Sequence, residues 1–392
     1  MQLTAEQEEW KRRAHEAGTE FREASEQWDR EDKVDYAAVA KRFGELGFFG
    51  ITAPREYGGQ GLTCVEYLIA MSEILRASGS WICCEPLFAT SGPGPSMLML
   101  SQNEAVREKY LRDVVTGKLG CAIALTEPDH GSDLTHLEVS ATSDGDGWII
   151  NGHKNYVTGA MHNELYAIFV RFDGIPGPRG IGAVVVHKDT PGFSMIKGPE
   201  FIGVRGIPHG DVFLDNVRVG PDDLIVGPGQ FANLMQAFNM ERLHNCGASL
   251  GLMMAAFDET SEHVQQRHQF GRPVIEFQSV YHALVDISIT IDAHRLLAFE
   301  AARGAIDGRY PQMEAVSKAK LFGGTNVPLV TMKCLELMGG VGVTYDRLTQ
   351  RLHRDAVTNV VAGGAPSVLR NSIASQIFPG IKFPQTKPRA DK

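Results

Sequence analysis

The sequence predicts an α+β chain in which a helical segment, a β domain and a second helical segment follow one another. Three observations carry that order. Helix-start signals frame roughly the first 120 residues, short β-branched runs broken by turn signals fill Cys121 to Val226, and a helical period returns after Gly227-Pro228-Gly229. The expected domains are therefore 1–120, 121–226 and 227–392.

In the first segment, Thr4 with Gln7 and Ser101 with Glu104 fit the capping box, in which a side-chain oxygen satisfies free N–H groups at a helix start. Between them Pro54-Arg55-Glu56-Tyr57-Gly58-Gly59 holds too much Gly and Pro for a helix and reads as a loop. In the second segment, Asp144-Gly145-Asp146-Gly147 turns into Trp148–Ile150, and Ala167–Val170, Ile181–Val186 and Val212–Leu214 follow as strand-sized runs. Their punctuation reads as an antiparallel domain. In the third, Val280, Leu284, Ile287 and Ile291 fall on one helix face, and helices run to about Ile377 with a break at Gly339-Gly340-Val341-Gly342. The tail from Pro379 reads as loose.

Composition narrows the class. The 392 residues are 43% apolar and 22% charged, enough for two or three packed domains with an ordinary soluble surface. A net charge of -9 argues against tracking nucleic-acid phosphates. No apolar run approaches the ~20 residues of a membrane span, and the acidic MQLTAEQEEW start lacks a signal-peptide pattern. Six cysteines without a CxxC pair suggest neither a zinc site nor a disulfide framework. A cytoplasmic setting is expected.

Leu125-Thr126-Glu127-Pro128-Asp129-His130-Gly131-Ser132-Asp133, taken alone, is a polar loop; it also resembles the LTEPxxGSD signature of the acyl-CoA dehydrogenase family. The resemblance continues in family order. Pro54 to Gly59 is similar to a PxEYGG loop, and Asn151 to Gly159 to NGxKxWITNG. Val204-Arg205-Gly206 and Phe213 to Val219 are similar to the end of the family's β domain. Glu241-Arg242, Arg267 to Pro273, Phe277-Gln278, Gly339-Gly340 and Arg354-Asp355 are similar to its carboxy-terminal part.

The resemblance implies an amino-terminal helical domain, a central β domain and a carboxy-terminal bundle, assembled as a tetramer or a dimer. It implies FAD as cofactor, an acyl-CoA substrate and electron-transfer flavoprotein as electron acceptor. The reaction it implies is α,β-dehydrogenation: a base takes the Cα proton and hydride passes from Cβ to flavin N5. Protein side chains cannot accept hydride, so a flavin is needed and the protein holds and tunes it.

By the same resemblance Ile123, Leu125, Thr126, Gly131, Ser132, Tyr156 and Thr158 hold the flavin, with Tyr156 where the family usually has Trp. Arg267 and Phe270 reach the adenine and pyrophosphate in a neighbouring subunit, and Gly340 belongs to the same cofactor set. A solvent-facing helix-end Arg beside a core Phe is the plain alternative for that pair. Ser132, Glu85, Arg242 and Gly364 border the substrate. The Gly363 N–H donates to the thioester carbonyl, acting like an oxyanion hole.

Many members carry the base in a YEGT motif, but that position here is Gly363. Long-chain and isovaleryl relatives place it on a helix just before an Arg, where this chain has Glu241-Arg242. Loss at one site with gain at the other makes Glu241 the expected base, with Arg242 holding it. Glu85 is open between a second base, a polar pocket floor and a loop carboxylate.

Two departures bear on the cofactor. Glu336 replaces a Gln expected near the flavin phosphates, which a carboxylate there would repel, and Ala365 replaces a Thr. There is also similarity to 3-sulfinopropionyl-CoA desulfinases, although Cys83 stands near the place of their sulfinate-reading Arg. A desulfinase, an enoyl-CoA reductase and a non-catalytic flavin- or CoA-binding homologue are the alternatives. The acyl group, and whether CoA or acyl-carrier protein bears it, stay open.

Overall fold

The computed structural model describes residues 2–207 and 209–381. Seven helices come first: α1 (Ala5–Thr19), α2 (Arg22–Glu31), α3 (Tyr36–Glu45), α4 (Cys64–Ser78), α5 (Glu85–Ser91), α6 (Pro93–Leu100) and α7 (Glu104–Val115). Thr4 and Gln7 form the expected capping box on α1. Thr63 and Glu66 form a second one on α4 that the sequence reading passed over. Ser101 does not cap α7. Asn103 does, accepting from the Ala105 N–H at 3.2 Å, because the Ser101 hydroxyl is committed to the Ile225 carbonyl at 2.6 Å.

Eight strands follow: β1 (Cys121–Ala124), β2 (Ser140–Asp144), β3 (Gly147–Thr158), β4 (Leu165–Phe172), β5 (Ile181–His187), β6 (Phe193–Lys197), β7 (His209–Val219) and β8 (Leu224–Val226). They form one sheet in the order β6-β7-β3-β2-β4-β5-β8, with β1 also on β4. The sheet is mostly antiparallel rather than wholly so: β1 and β2 both pair with β4 in parallel. Strand β4 is apolar at nearly every position because both faces are covered. Leu165, Ala167 and Phe169 pack toward the helical side with Leu98, Leu111 and Val114, while Tyr166, Ile168 and Val170 pack with Val212, Leu214 and Val217.

The chain then runs through α8 (Phe231–Gln266), the two-stranded hairpin of β9 (His268–Gln269) and β10 (Arg272–Pro273), α9 (Gln278–Arg303), α10 (Met313–Met338), α11 (Leu348–Asn359) and α12 (Pro366–Ile377). Leu284, Ile287 and Ile291 are buried on one face of α9, as the period requires. The Gly339–Val343 break is a 3-10 turn. Long α8 packs against α4, α10 and α11 in a core shared by the first and third segments. That shared core fixes α8 against α4 and α5. The reading of the tail as loose falls mainly on 382–392, outside the described residues. Among the described residues no helix is long and apolar enough to cross a membrane.

Candidate active site

A cavity of about 500 Å³ opens where the three segments meet. Its walls come from the α4–α5 region (Trp81, Glu85, Phe88), from the sheet (Ile123, Leu125, Thr126, Tyr156, Thr158), from α8 (Phe238, Glu241, Arg242, His244, Asn245) and from the turn after α11 (Gly363, Gly364, Ala365). Gly131 and Ser132 also line it.

On the sheet side, a buried ion pair sets the loop that carries Thr126 and Ser132. Lys154 Nζ lies 2.6 Å from Glu127 Oε1 and donates to the Leu125 carbonyl at 3.0 Å. Glu127 in turn accepts from the Glu138 and Val139 N–H groups at 2.6 and 3.0 Å. Burial pulls the Lys154 ammonium down to about 8, opposed by Glu127. Replacing Lys154 by methionine is expected to destabilise the fold by about 3 kcal/mol, since it strands a buried carboxylate. Denaturant melts and flavin content after gel filtration check this, and both should fall together.

Tyr156 sits at a register shift between β3 and β7 with φ 55°, a left-handed backbone that turns its ring toward the cavity mouth. The Asn155 N–H donates to the Thr126 carbonyl at 2.9 Å, tying β3 to the loop.

On the helical side, Glu241 is half-buried, and burial pushes its carboxyl up to about 7 against the opposing pull of Asn245, Lys320 and Arg242. Asn245 Nδ2 donates to Glu241 Oε1 at 3.1 Å and to the Glu241 carbonyl at 2.8 Å. Arg242 is buried and pulled down to about 10, which leaves it charged at neutral pH. It donates to Asn239 Oδ1 at 2.8 Å and to the Gly363 carbonyl at 3.4 Å.

The turn carrying Gly363 is pinned from beneath by buried Lys320, which donates to the carbonyls of Asn359 (3.3 Å), Val360 (2.8 Å) and Gly364 (3.2 Å). Gly363 has φ +65°, and a Cβ there would stand 2.6 Å from Asn245 Nδ2 and 3.2 Å from Glu241 Cγ. Glycine at 363 thus leaves the space in which the Glu241 stem lies. Among the described residues no acceptor takes the Gly363 N–H.

These walls fit the flavin that the resemblance implies. Three buried side-chain oxygens on the cavity wall, those of Asn155, Asn245 and Asn359, lack a partner among the described residues, a cost that a polar ligand edge removes. A Cβ on Gly131 would meet nothing within 4 Å, so the loop is open to a close-lying ligand.

Of the expected site residues, Arg267, Phe270 and Gly340 stand apart from the cavity. Arg267 ends α8, Phe270 is 93% exposed at the tip of the β9–β10 hairpin, and Gly340 is exposed. Glu336 is also absent from the cavity wall; it is exposed and paired with Lys333 at 2.6 Å. Sequence reasoning missed Trp81, Phe88, His209, Phe238, His244, Asn245 and Lys320. Spacing could have found two of these, since His244 and Asn245 lie three and four residues beyond Glu241 on one helix face.

Three family models match the chain in order: the acyl-CoA dehydrogenase N-terminal domain over 4–118, the middle domain over 122–217 and the C-terminal domain over 231–378. The chain is 32% identical to a 3-(aryl)acrylate reductase of Clostridium sporogenes, over 88% of this chain and 93% of that one. It is 32% identical to a 3-sulfinopropanoyl-CoA desulfinase of Paraburkholderia xenovorans, over 92% of each. The butyryl-CoA dehydrogenase structure from Megasphaera elsdenii superposes with a TM-score of 0.91 at 26% identity, covering 96% of this chain and 99% of that one. Motif order, domain order and the cavity at their junction lead to one assignment: the chain belongs to the acyl-CoA dehydrogenase family of FAD-dependent enzymes.

Proposed function

We propose that the protein dehydrogenates an acyl-CoA thioester at its α and β carbons, with Glu241 as the base. One observation carries this reading: on the cavity wall the Glu241 carboxyl, pushed up to about 7 by burial, lies beside the Gly363 N–H, which has no acceptor among the described residues. Bound FAD supplies the two-electron acceptor for the hydride leaving Cβ. The chain's own residues do the rest. The Gly363 N–H donates to the thioester carbonyl, which acidifies Cα and steadies the charge that develops on oxygen. Glu241 takes the Cα proton, and the electron pair left behind forms the Cα–Cβ double bond. Asn245 holds the carboxylate in place, Arg242 lends its charge nearby while bracing the Gly363 turn, and Gly364, Ser132 and Glu85 border the thioester.

On the flavin side we assign Ile123, Leu125, Thr126, Gly131, Ser132, Tyr156 and Thr158 to the ring and its adjoining phosphates. Arg267, Phe270 and Gly340, remote from the cavity, suit the adenine end of FAD held by a second copy of the chain. An apolar aromatic at 93% exposure with a left-handed backbone (φ 52°) supports that role. Tyr281, Val285, Ile289 and Leu296 form an exposed apolar stripe along α9, the kind of surface an oligomer buries. A homo-oligomer, a tetramer or a dimer, follows from this reading. Electron-transfer flavoprotein is the proposed acceptor, since the reduced cofactor must be reoxidised in each cycle.

The similarity to a reductase favours a second reading on the same site, with protonated Glu241 delivering a proton to Cα of an enoyl thioester. Anaerobic mixing with a panel of acyl-CoAs separates the two. Loss of flavin colour with release of enoyl-CoA is expected. Colour loss by no acyl-CoA, with rapid reoxidation of the reduced enzyme by enoyl-CoA, would assign the reductive direction, and sulfite release would assign desulfination.

A further inference from the structure

The part of the cavity supplied by the α4–α5 connection, α5 and α8 between Phe238 and His244 has a chemistry of its own. Trp81, Phe88, Phe238 and His244 wall it with rings, and Glu85 lines it beside them. His244 stands edge-on to Phe88 with centroids 4.7 Å apart and lies 5.9 Å from Trp81. Its Nδ1 is 2.9 Å from the Tyr67 hydroxyl, so Tyr67 fixes the ring, and its other nitrogen has no hydrogen-bond partner among the described residues. Glu85 is buried, and its carboxyl is pushed up to about 8 by burial and by the charge of Glu241. Burial pulls His244 down to about 3. Both groups are therefore mainly uncharged at neutral pH. Among the described residues Arg242 is the one cationic side chain on the cavity wall whose charge persists at neutral pH, and two of its donors are taken by Asn239 and the Gly363 carbonyl.

We infer that Glu85 and His244, the latter held by Tyr67, select the acyl group: the pocket takes an uncharged acyl chain ending in a hydroxylated aromatic ring and turns away chains ending in a carboxylate or sulfinate. The inference rests on the proposed thioester site and names its substrate class. The rings offer an aromatic acyl group face and edge contacts. A plain alkyl chain would leave the Glu85 O–H and the free His244 nitrogen desolvated and unpaired. A hydroxyl both donates and accepts, so it satisfies a neutral carboxyl and a neutral imidazole in either tautomer. An anionic terminus would lose its hydration beside Glu85, and the one lasting cation on the wall, Arg242, already gives donors to Asn239 and the Gly363 carbonyl.

The test uses the FAD-loaded E241Q protein, in which thioesters bind without turnover. Calorimetric Kd values are compared for para-hydroxyphenylpropanoyl-CoA, phenylpropanoyl-CoA, hexanoyl-CoA and glutaryl-CoA. The hydroxylated ring is expected to bind about tenfold more tightly than the unsubstituted one, and roughly a hundredfold more tightly than glutaryl-CoA. Adding His244→Phe should collapse the hydroxyphenyl-to-phenyl ratio toward one. Glutaryl-CoA or hexanoyl-CoA binding as tightly as the hydroxylated ring overturns the inference, as does a ratio unmoved by His244→Phe. Should the His244 variant fail to fold, the four-ligand ranking on E241Q still decides. The ranking is independent of turnover: flavin bleaching in the unmutated enzyme without it sinks only this inference, and the ranking without bleaching sinks only the dehydrogenase reading.

Discussion

Replacing Glu241 by glutamine is expected to lower kcat by roughly 10³-fold while leaving FAD and thioester bound. Glutamine keeps the shape and the contact with Asn245 but cannot accept a proton. Burial, the largest influence on Glu241, pushes its carboxyl up to about 7, while Asn245, Lys320 and Arg242 pull the other way. The base works ionised, so kcat/KM rises as pH increases through about 7 and levels off above it. Glu85, pushed up to about 8, feels the Glu241 charge, so the two titrate as a pair and the acid limb reports both. A pH profile that keeps its acid limb in the glutamine variant would assign the limb to another group.

The second large effect is expected at Gly363, where Gly363→Ala should lower kcat about 10²-fold. At φ +65° any other residue adopts a left-handed backbone, at a cost of roughly 1–2 kcal/mol. The new methyl would also press on Asn245 at 2.6 Å and on the Glu241 stem at 3.2 Å. Relief of that clash moves either the Gly363 N–H or the Glu241 carboxylate, and each movement harms the same step. Steady-state kinetics with thermal melts check it: a modest fall in Tm beside a large fall in kcat is expected. A variant with unchanged kcat would show that neither the N–H nor the carboxylate position matters at that step.

The architecture was legible because its signals are local. The Asp-Gly turn announces β3, the apolar run Ile181–Val186 announces β5, and Leu284, Ile287 and Ile291 mark the inner face of α9. The parallel pairing of β1 and β2 with β4 was not legible, since strand direction depends on where a distant strand lands. Ser101 misled for a related reason: its hydroxyl answers to a carbonyl 124 residues away.

The site divides in the same way. Motif residues such as Thr126, Thr158, Glu241 and Gly363 were visible and do meet at one cavity. The pocket wall around Glu85 and His244 was not, because Tyr67, Trp81, Phe88 and His244 come together only when α4 and α5 dock on α8. Lys320 carries no motif of its own; its part in holding the Val360–Gly364 turn shows only in three carbonyl contacts.

Exchange of the Cα hydrogen of a bound thioester with deuterated solvent, followed by NMR, tests the central claim most directly, because it reads proton removal alone. The holoenzyme should exchange that hydrogen, faster as pH rises through about 7, and the Glu241→Gln holoenzyme should leave it in place at every pH. Undiminished exchange in the glutamine variant would contradict the account.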